Sequence, residues 1–413
     1  MTTTFLRAAL TAGFLAGAAS GAAYAADKPA APKLTPGVAK ALSDAQTANN
    51  KKDFDAAKAA LDKAKQVSDR TPVDDLYINR FTMAVAIGQN DYNAADTAAE
   101  AAADSDPSVV PDADKQAVYK PALQLALNAK HYDKAAKYAK LYLATNPPPA
   151  DQALIAQAMY LGGDYAGATA LAQKNLDAAK AAGQKPQRND LDIIMSSQVK
   201  QKDEAGAEAT LEQLVQYYNQ PEDWGQLLGV SLSAKGMREI DYVYVGRLAQ
   251  ALGLKLSATD AQLIGGVANS NSLALYGDAE ALQKMGGPAP DARIAADRKS
   301  LPDQIKVGQG PKGTGEFNAK LAEALYGYGM YPEAEAAARL AQQKGGAKDP
   351  SEPNMVLGMA EAAQGKYADA ATAFGSVNAS APASQRVARL WSYYAKSKAQ
   401  PATAAQPATA QQQ

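Results

Sequence analysis

The chain has 413 residues, enough for two or three ordinary domains or for one long array of repeats. It contains no cysteine and a single histidine, His131, so a disulfide framework, a thiolate nucleophile, a structural zinc site and a Ser-His-Asp triad all lack their parts. Its 42 Lys and Arg balance 43 Asp and Glu, a net charge of -1, which leaves no broad basic field for nucleic acid. We therefore expect no catalysis, no nucleic-acid partner, and no metal or other cofactor.

The first 26 residues have the layout of a secretory signal peptide. Arg7 is their only charge, an apolar run covers residues 8–18, and Ala23-Tyr24-Ala25 is a small-x-small cleavage site. An uncleaved membrane anchor is the alternative, but Ser20-Gly21 interrupts the run short of the ~20 apolar residues that a span needs. The sequence predicts a periplasmic or secreted protein of a Gram-negative bacterium, with no transmembrane anchor after cleavage.

Helical periodicity begins after a proline-rich stretch. Residues 27–37 carry three prolines and are predicted to form an extended linker. Residues 38–218 then show five consecutive units of two helices each. In each unit an anchor residue opens the second helix and small or apolar residues follow at helical spacing. The anchors are Phe54, Tyr92, Tyr132, Tyr165 and Glu204, with steps of 38, 40, 33 and 39 residues.

The pattern weakens in the second half of the chain and then returns. Residues 219–286 are interpreted as two degenerate helical repeats, and residues 287–315 as an irregular insertion with a possible short helix at 292–299. Residues 316–398 show the period again, with anchors at Tyr331 and Tyr367 and a last helix that caps the stack. Residues 399–413 carry no charge and are predicted to be a disordered tail.

The clearest unit covers residues 354–377. It indicates one helix, a tight turn at Gly365-Lys366, and a second helix opened by Tyr367. Gly358 and Ala370 are expected to face each other where the two helices approach most closely. Together with Phe374, these residues have the offsets of the tetratricopeptide repeat (TPR), and the chain resembles that family.

The resemblance implies an all-α solenoid, a right-handed superhelix of antiparallel helix pairs whose first helices line a concave surface. In that family fixed positions of the first helices contact ligands. Leu127 and Glu323 fall at such positions, as do the residues that we select as partner-binding candidates: Tyr77, Arg80, Lys120, Gln124, Asn128, Gln157, Tyr160 and Tyr326. Their mixture of tyrosine, cationic and amide side chains suits an extended peptide. Tyr326 is expected to be exposed.

Two motifs could carry chemistry. Gly308-x-Gly310-x-x-Gly313 has the spacing of a dinucleotide fingerprint after the strand-like residues 304–307, but no βαβ unit follows it, so a flexible glycine loop is the better interpretation. Asp104-x-Asp106 and Asp112-x-Asp114 resemble metal-ligand pairs but lack the glycine and glutamate of a calcium loop. They are predicted to be solvated helix caps.

The sequence thus predicts a non-catalytic scaffold or adaptor that binds cell-envelope proteins on the concave face of a TPR superhelix. The alternative is a helical superhelix that binds glycan or a small solute and is associated with peptidoglycan metabolism. Exposed tryptophan would favour that alternative, and the chain has only Trp224 and Trp391. A third hypothesis, an enzyme in residues 287–315, has the least support.

Overall fold

The structure is a computed structural model that describes residues 33–399. These residues form twenty α-helices and two short 3-10 helices, with no strand among them, and consecutive helices pack in pairs. The predicted all-α, solenoid-like fold is therefore confirmed. The predicted signal peptide, residues 27–32 of the linker and residues 400–413 of the tail lie outside the described residues.

The chain divides into two compact units, with the boundary between Glu204 and Ala205. The helices of unit 1 are α1 (Pro36–Asn50), α2 (Phe54–Lys65), α3 (Pro72–Gly88), α4 (Tyr92–Ala103), α5 (Lys115–Asn128), α6 (Tyr132–Leu143), α7 (Gln152–Leu161), α8 (Tyr165–Ala181) and α9 (Arg188–Lys200). The 3-10 helices Asp112–Asp114 and Pro149–Asp151 precede α5 and α7.

Unit 2 begins at Ala205, the second residue of α10. Its helices are α10 (Glu204–Tyr218), α11 (Pro221–Leu232), α12 (Glu239–Leu252), α13 (Ala258–Ala268), α14 (Tyr276–Gln283), α15 (Ile294–Gln309), α16 (Gly315–Gly327), α17 (Tyr331–Lys344), α18 (Glu352–Ala363), α19 (Tyr367–Gly375) and α20 (Pro382–Ala399).

All seven anchor residues open a helix, as the sequence predicts, and the turns before them share one geometry. The residue two positions before each anchor has a positive φ between 59° and 84°. The next residue donates its N–H to the carbonyl five residues back, at 2.8–3.0 Å, which is the closing bond of a Schellman motif. The positive-φ residues are Lys52, Asn90, Lys130, Gly163, Lys202, Gly329 and Gly365. The same local turn therefore precedes all seven anchors, and six of these turns join two helices that pack as a pair.

Small side chains let the paired helices approach closely. The alanine three residues after each anchor is buried, and in six of the seven cases it is fully inaccessible. Gly358 plays the same part on a first helix, where the nearest side-chain atoms belong to Phe374. A Cβ at Gly358 would lie 2.7 Å from Cε1 of Phe374, so the glycine makes room for an aromatic ring.

Unit 2 closes on itself. Residues 243–249 of α12 and 355–362 of α18 are buried without interruption, so other helices enclose both on all sides. The last helix, α20, returns to α12: Trp391 Nε1 donates to the Tyr244 carbonyl at 3.1 Å, and Ser384 Oγ donates to Asp241 Oδ2 at 2.7 Å. These contacts join the two ends of the unit.

The predicted irregular insertion at 287–315 holds a 16-residue helix, α15, and this prediction is wrong. Its frequent glycine and proline indicate a loop locally, and Pro302 lies inside the helix. Packing overrides that local signal: Leu301 is buried, and a Cβ at Gly308 would lie 2.6 Å from Asn318 Oδ1. The strand-like residues 304–307 are helical.

Candidate functional site

Two of the predicted partner-binding residues, Tyr77 and Arg80 of α3, are buried rather than open to a partner. Arg80 Nη1 lies 3.2 Å from Asp114 Oδ2, and the Tyr77 hydroxyl donates to the same carboxylate oxygen. The guanidinium also lies over the Tyr77 ring, 5.0 Å from its centroid. Burial and the Asp114 carboxylate raise the pKa of Tyr77, so its hydroxyl remains a donor. The cluster holds α3 against the start of α5.

The Arg80 contact is one of four equivalent inter-repeat ion pairs. In each, a cation on one helix binds a carboxylate 31–34 residues later, at the beginning of the next helix but one among the α-helices. The negative charge also lies where a helix N-terminus favours it. The N···O distances are 2.7–3.2 Å for Arg80 with Asp114, Lys120 with Asp151, Arg247 with Asp278 and Lys320 with Glu352. Lys120, another predicted binding residue, is therefore engaged between helix pairs.

Tyr326 of α16 is also buried, so its predicted exposure is wrong. Its ring lies 4.4 Å from the guanidinium carbon of Arg247 and 5.2 Å from the Tyr331 ring. Arg247 in turn donates to Glu323 Oε2 at 2.5 Å and to both Asp278 oxygens at 2.8 Å. Burial raises the pKa of Glu323, although the Arg247 charge opposes the rise. These residues form a polar centre inside unit 2.

The other four predicted residues reach solvent in unit 1. Asn128 and Gln157 are exposed, and Gln124 and Tyr160 are half-buried. Tyr160 lies five residues before the anchor Tyr165, and the same register on α5 and α9 holds Leu127 and Val199. We call Leu127, Tyr160 and Val199 the unit-1 row.

All three side chains of the unit-1 row are accessible, and Val199 is 60% exposed. The row does not continue onto α3, because Ile87 at the same register of that helix is buried. Val199 is not among the residues predicted from the sequence, although its position five residues before the anchor Glu204 is the register of Leu127 and Tyr160. The row and its flanking amides are the best candidate for a partner-binding surface in this unit.

The glycine motif of α15 and the following turn is held by a lysine. Lys344 Nζ donates to the carbonyls of Gly308, Gly310 and Gly313 at 2.7, 2.9 and 2.7 Å. A phosphate site needs converging N–H donors at a helix N-terminus, whereas here three carbonyl oxygens converge at a helix C-terminus. The motif is a lysine-bound turn rather than the flexible loop expected from its glycines.

The acidic pairs near residue 110 do not share a ligand position. Asp104 accepts from Lys137 Nζ at 2.8 Å, Asp106 accepts from Ser108, and Asp112 pairs with Lys115. Between residues 33 and 399, no group of three or more His, Cys, Asp or Glu is placed to hold a metal ion. Over the same range, no helix combines the length and the apolar character that a membrane crossing requires. No family model matches the chain.

Proposed function

We propose that this protein is a non-catalytic scaffold of the bacterial cell envelope, and that unit 1 binds an extended segment of a partner protein. The observation that carries the proposal is the unit-1 row. Three successive first helices present an accessible apolar or aromatic side chain at one register. Side chains repeated at one register suit a ligand whose own groups repeat at constant intervals, and the backbone of an extended peptide is such a ligand.

The polar residues around the row support a peptide ligand. Gln124 and Gln157 lie three residues before Leu127 and Tyr160, so each amide shares a helix face with a member of the row. A side-chain amide both donates and accepts hydrogen bonds, as a peptide backbone requires. Burial of the exposed part of Val199 against a partner would strengthen binding by ~25 cal/mol for each Å² of apolar surface removed from water.

Membership of the TPR family and export from the cytoplasm belong to the same proposal. The seven equivalent Schellman turns and the buried alanine after each anchor support the family resemblance. The signal-peptide layout of the first 26 residues supports a periplasmic or secreted location. Both features suit an adaptor for envelope proteins.

A pull-down from envelope extract tests the proposal with a matched pair of variants. Val199→Asp places a charge in the row, whereas Val230→Asp places one at a valine of unit 2 that is 39% exposed. We expect Val199→Asp to weaken the affinity for the recovered partner at least about tenfold, and Val230→Asp to leave it unchanged. Equal retention by wild type and Val199→Asp would contradict the proposed surface.

A further inference from the structure

Unit 2 contains a cavity of about 450 Å³ that the protein-binding role does not use. It opens where the C-terminal parts of α12, α16, α18 and α20 meet α14. Its volume falls within the ~300–1,000 Å³ typical of small-molecule sites. Aromatic residues supply much of its wall: Tyr326, Tyr328, Tyr331, Tyr367, Trp391 and Tyr394.

The polar side of the cavity is preorganised. Arg247 and Asp278 line it, both are buried, and the bidentate contact between them fixes their orientation. Glu323 Oε1 accepts from the Tyr244 hydroxyl, which locks the cluster from behind. Asp278 uses one lone pair of each oxygen for Arg247 and has acceptor capacity left for a ligand. Because these side chains are already fixed, a ligand that binds them costs the protein little conformational entropy.

Small residues bring the cavity rim together. A Cβ at Gly277 would lie 2.6 Å from the carbonyl carbon of Gly327, and one at Gly327 would lie 2.4 Å from Asp278 Oδ2. Two glycines thus allow the start of α14 to meet the end of α16 beside the buried carboxylate. Larger side chains at either position would separate the two helices and move Asp278 away from the cavity.

The charges select among ligand classes. Arg247 and Lys284 balance Asp278 and Glu280 in the cavity wall, and Glu323 behind them adds a negative charge, so an anionic ligand would meet a net negative charge. A quaternary ammonium ligand would compete with Arg247, which already lies 4.4 Å from the Tyr326 ring centroid. An apolar ligand would leave buried charges without water. A neutral ligand with many hydroxyl groups avoids all three costs.

We propose that this cavity binds a neutral disaccharide. The half-buried rings of Tyr328, Tyr331 and Tyr367 offer apolar surface for the carbon side of a pyranose ring. Asp278, Gln250 and Lys284 offer acceptors and donors for its hydroxyl groups. The proposal gives chemical content to the alternative that the sequence leaves open, a glycan-binding helical superhelix. It concerns unit 2 and does not depend on the protein-binding role of unit 1.

Calorimetric titration of the purified full chain tests the proposal. The probes are maltose, cellobiose and N,N′-diacetylchitobiose, with choline and glucuronate as charged comparisons. We expect at least one disaccharide to bind with a Kd of about 1 mM or tighter, and the charged probes to bind more weakly. Absence of binding by all three disaccharides, or preferential binding of choline or glucuronate, would overturn the assignment.

A variant that blocks the cavity tests where the sugar binds. Ala363 is exposed on the cavity rim, whereas Ala368 is exposed on α19 away from the lining. Ala363→Trp is expected to weaken disaccharide binding at least about tenfold, and Ala368→Trp to leave it unchanged. Both sites are exposed, so the fold should tolerate both variants. Equal affinities for the two variants would place the sugar elsewhere and contradict the proposal.

Trp391 supplies an independent readout on the wild-type chain. It is fully buried but lines the cavity, whereas Trp224, which is also buried, lies in α11 outside the lining and donates to Asn219 Oδ1 at 2.7 Å. Sugar in the cavity is therefore expected to change the tryptophan emission with the same Kd as the calorimetry. A calorimetric signal with unchanged emission would argue against this cavity. Failure of either test leaves the unit-1 row unaffected, because the two experiments share no variant.

Discussion

Single residues determine how the chain reverses between helices. Gly365 and Lys130 occupy equivalent turn positions with φ values of +77° and +60°. Glycine reaches this region without strain, whereas a residue with a Cβ loses about 1–2 kcal/mol there. The chain tolerates lysine or asparagine at four of the seven turns, so the hydrogen-bonded frame of the turn outweighs that cost.

Gly365→Ala should therefore lower the free energy of unfolding of unit 2 by about 1–2 kcal/mol. The matched control is Gly375→Ala, at the last residue of α19, where φ is not positive and a Cβ would meet open space. Urea denaturation of both variants measures the difference. If the two variants are equally stable, the strain account of the turn is wrong.

At the scale of elements, each inter-repeat ion pair connects an α-helix to the next α-helix but one. Their burial differs widely. Arg247 and Asp278 are 1% and 4% exposed, whereas the Lys320 side chain is 52% exposed over Glu352. Loss of one partner from a buried pair leaves an uncompensated charge, while an exposed pair is screened by water. The same sequence spacing therefore supports contacts of very different energy.

Replacement of the cation by methionine tests this gradation. We expect Arg247→Met to destabilise unit 2 by about 3–5 kcal/mol, because Asp278 and Glu323 remain buried without their cation. Lys320→Met should cost about 0–1 kcal/mol. Chemical denaturation of the two variants gives both values. A larger loss of unfolding free energy for Lys320→Met than for Arg247→Met would contradict this explanation.

These elements also show what the sequence could predict. Helix starts at the anchors follow from local signals, a turn and then a periodic small residue, and all seven are present. Arg80 is buried because it contacts Asp114, and Tyr326 is buried because it contacts Arg247. Both partners are distant in the chain, and the sequence prediction did not include these contacts. Alignment of the repeats would have revealed Arg80 and Asp114 as a cation and an acid one repeat apart. For α15, the contacts of Leu301 and Gly308 with later residues decide the structure, and no local pattern reports them.

At the scale of the whole molecule, the chain consists of two compact units, each with its own core. Unit 2 is closed by α20, whose Trp391 is fully buried and reaches α12 147 residues earlier in the chain. Closure by a late helix makes the stability of α12 depend on residues that follow it by more than a hundred positions. A repeat array without such closure would have only neighbouring contacts.

Trp391→Ala should therefore destabilise unit 2 by about 3–5 kcal/mol and increase amide exchange in α12. Tyr393 provides the control on the same helix, because it is half-buried and its hydroxyl contacts Glu212 rather than α12. Tyr393→Ala should leave α12 protected. Hydrogen exchange measured by mass spectrometry separates the two outcomes, and equal protection of α12 in both variants would contradict closure by Trp391.

The central claim, that the unit-1 row binds an extended partner segment, is tested most directly by photo-crosslinking in cells. A photoreactive residue is placed singly at Leu127, Tyr160 and Val199, and at the exposed control position Lys174 on α8. We predict adducts from the three row positions to one stretch of one partner, in an order along that stretch that follows the order of α5, α7 and α9. Lys174 should give none. Adducts from Lys174 to the same stretch, or row positions that give no common partner, would contradict the claim.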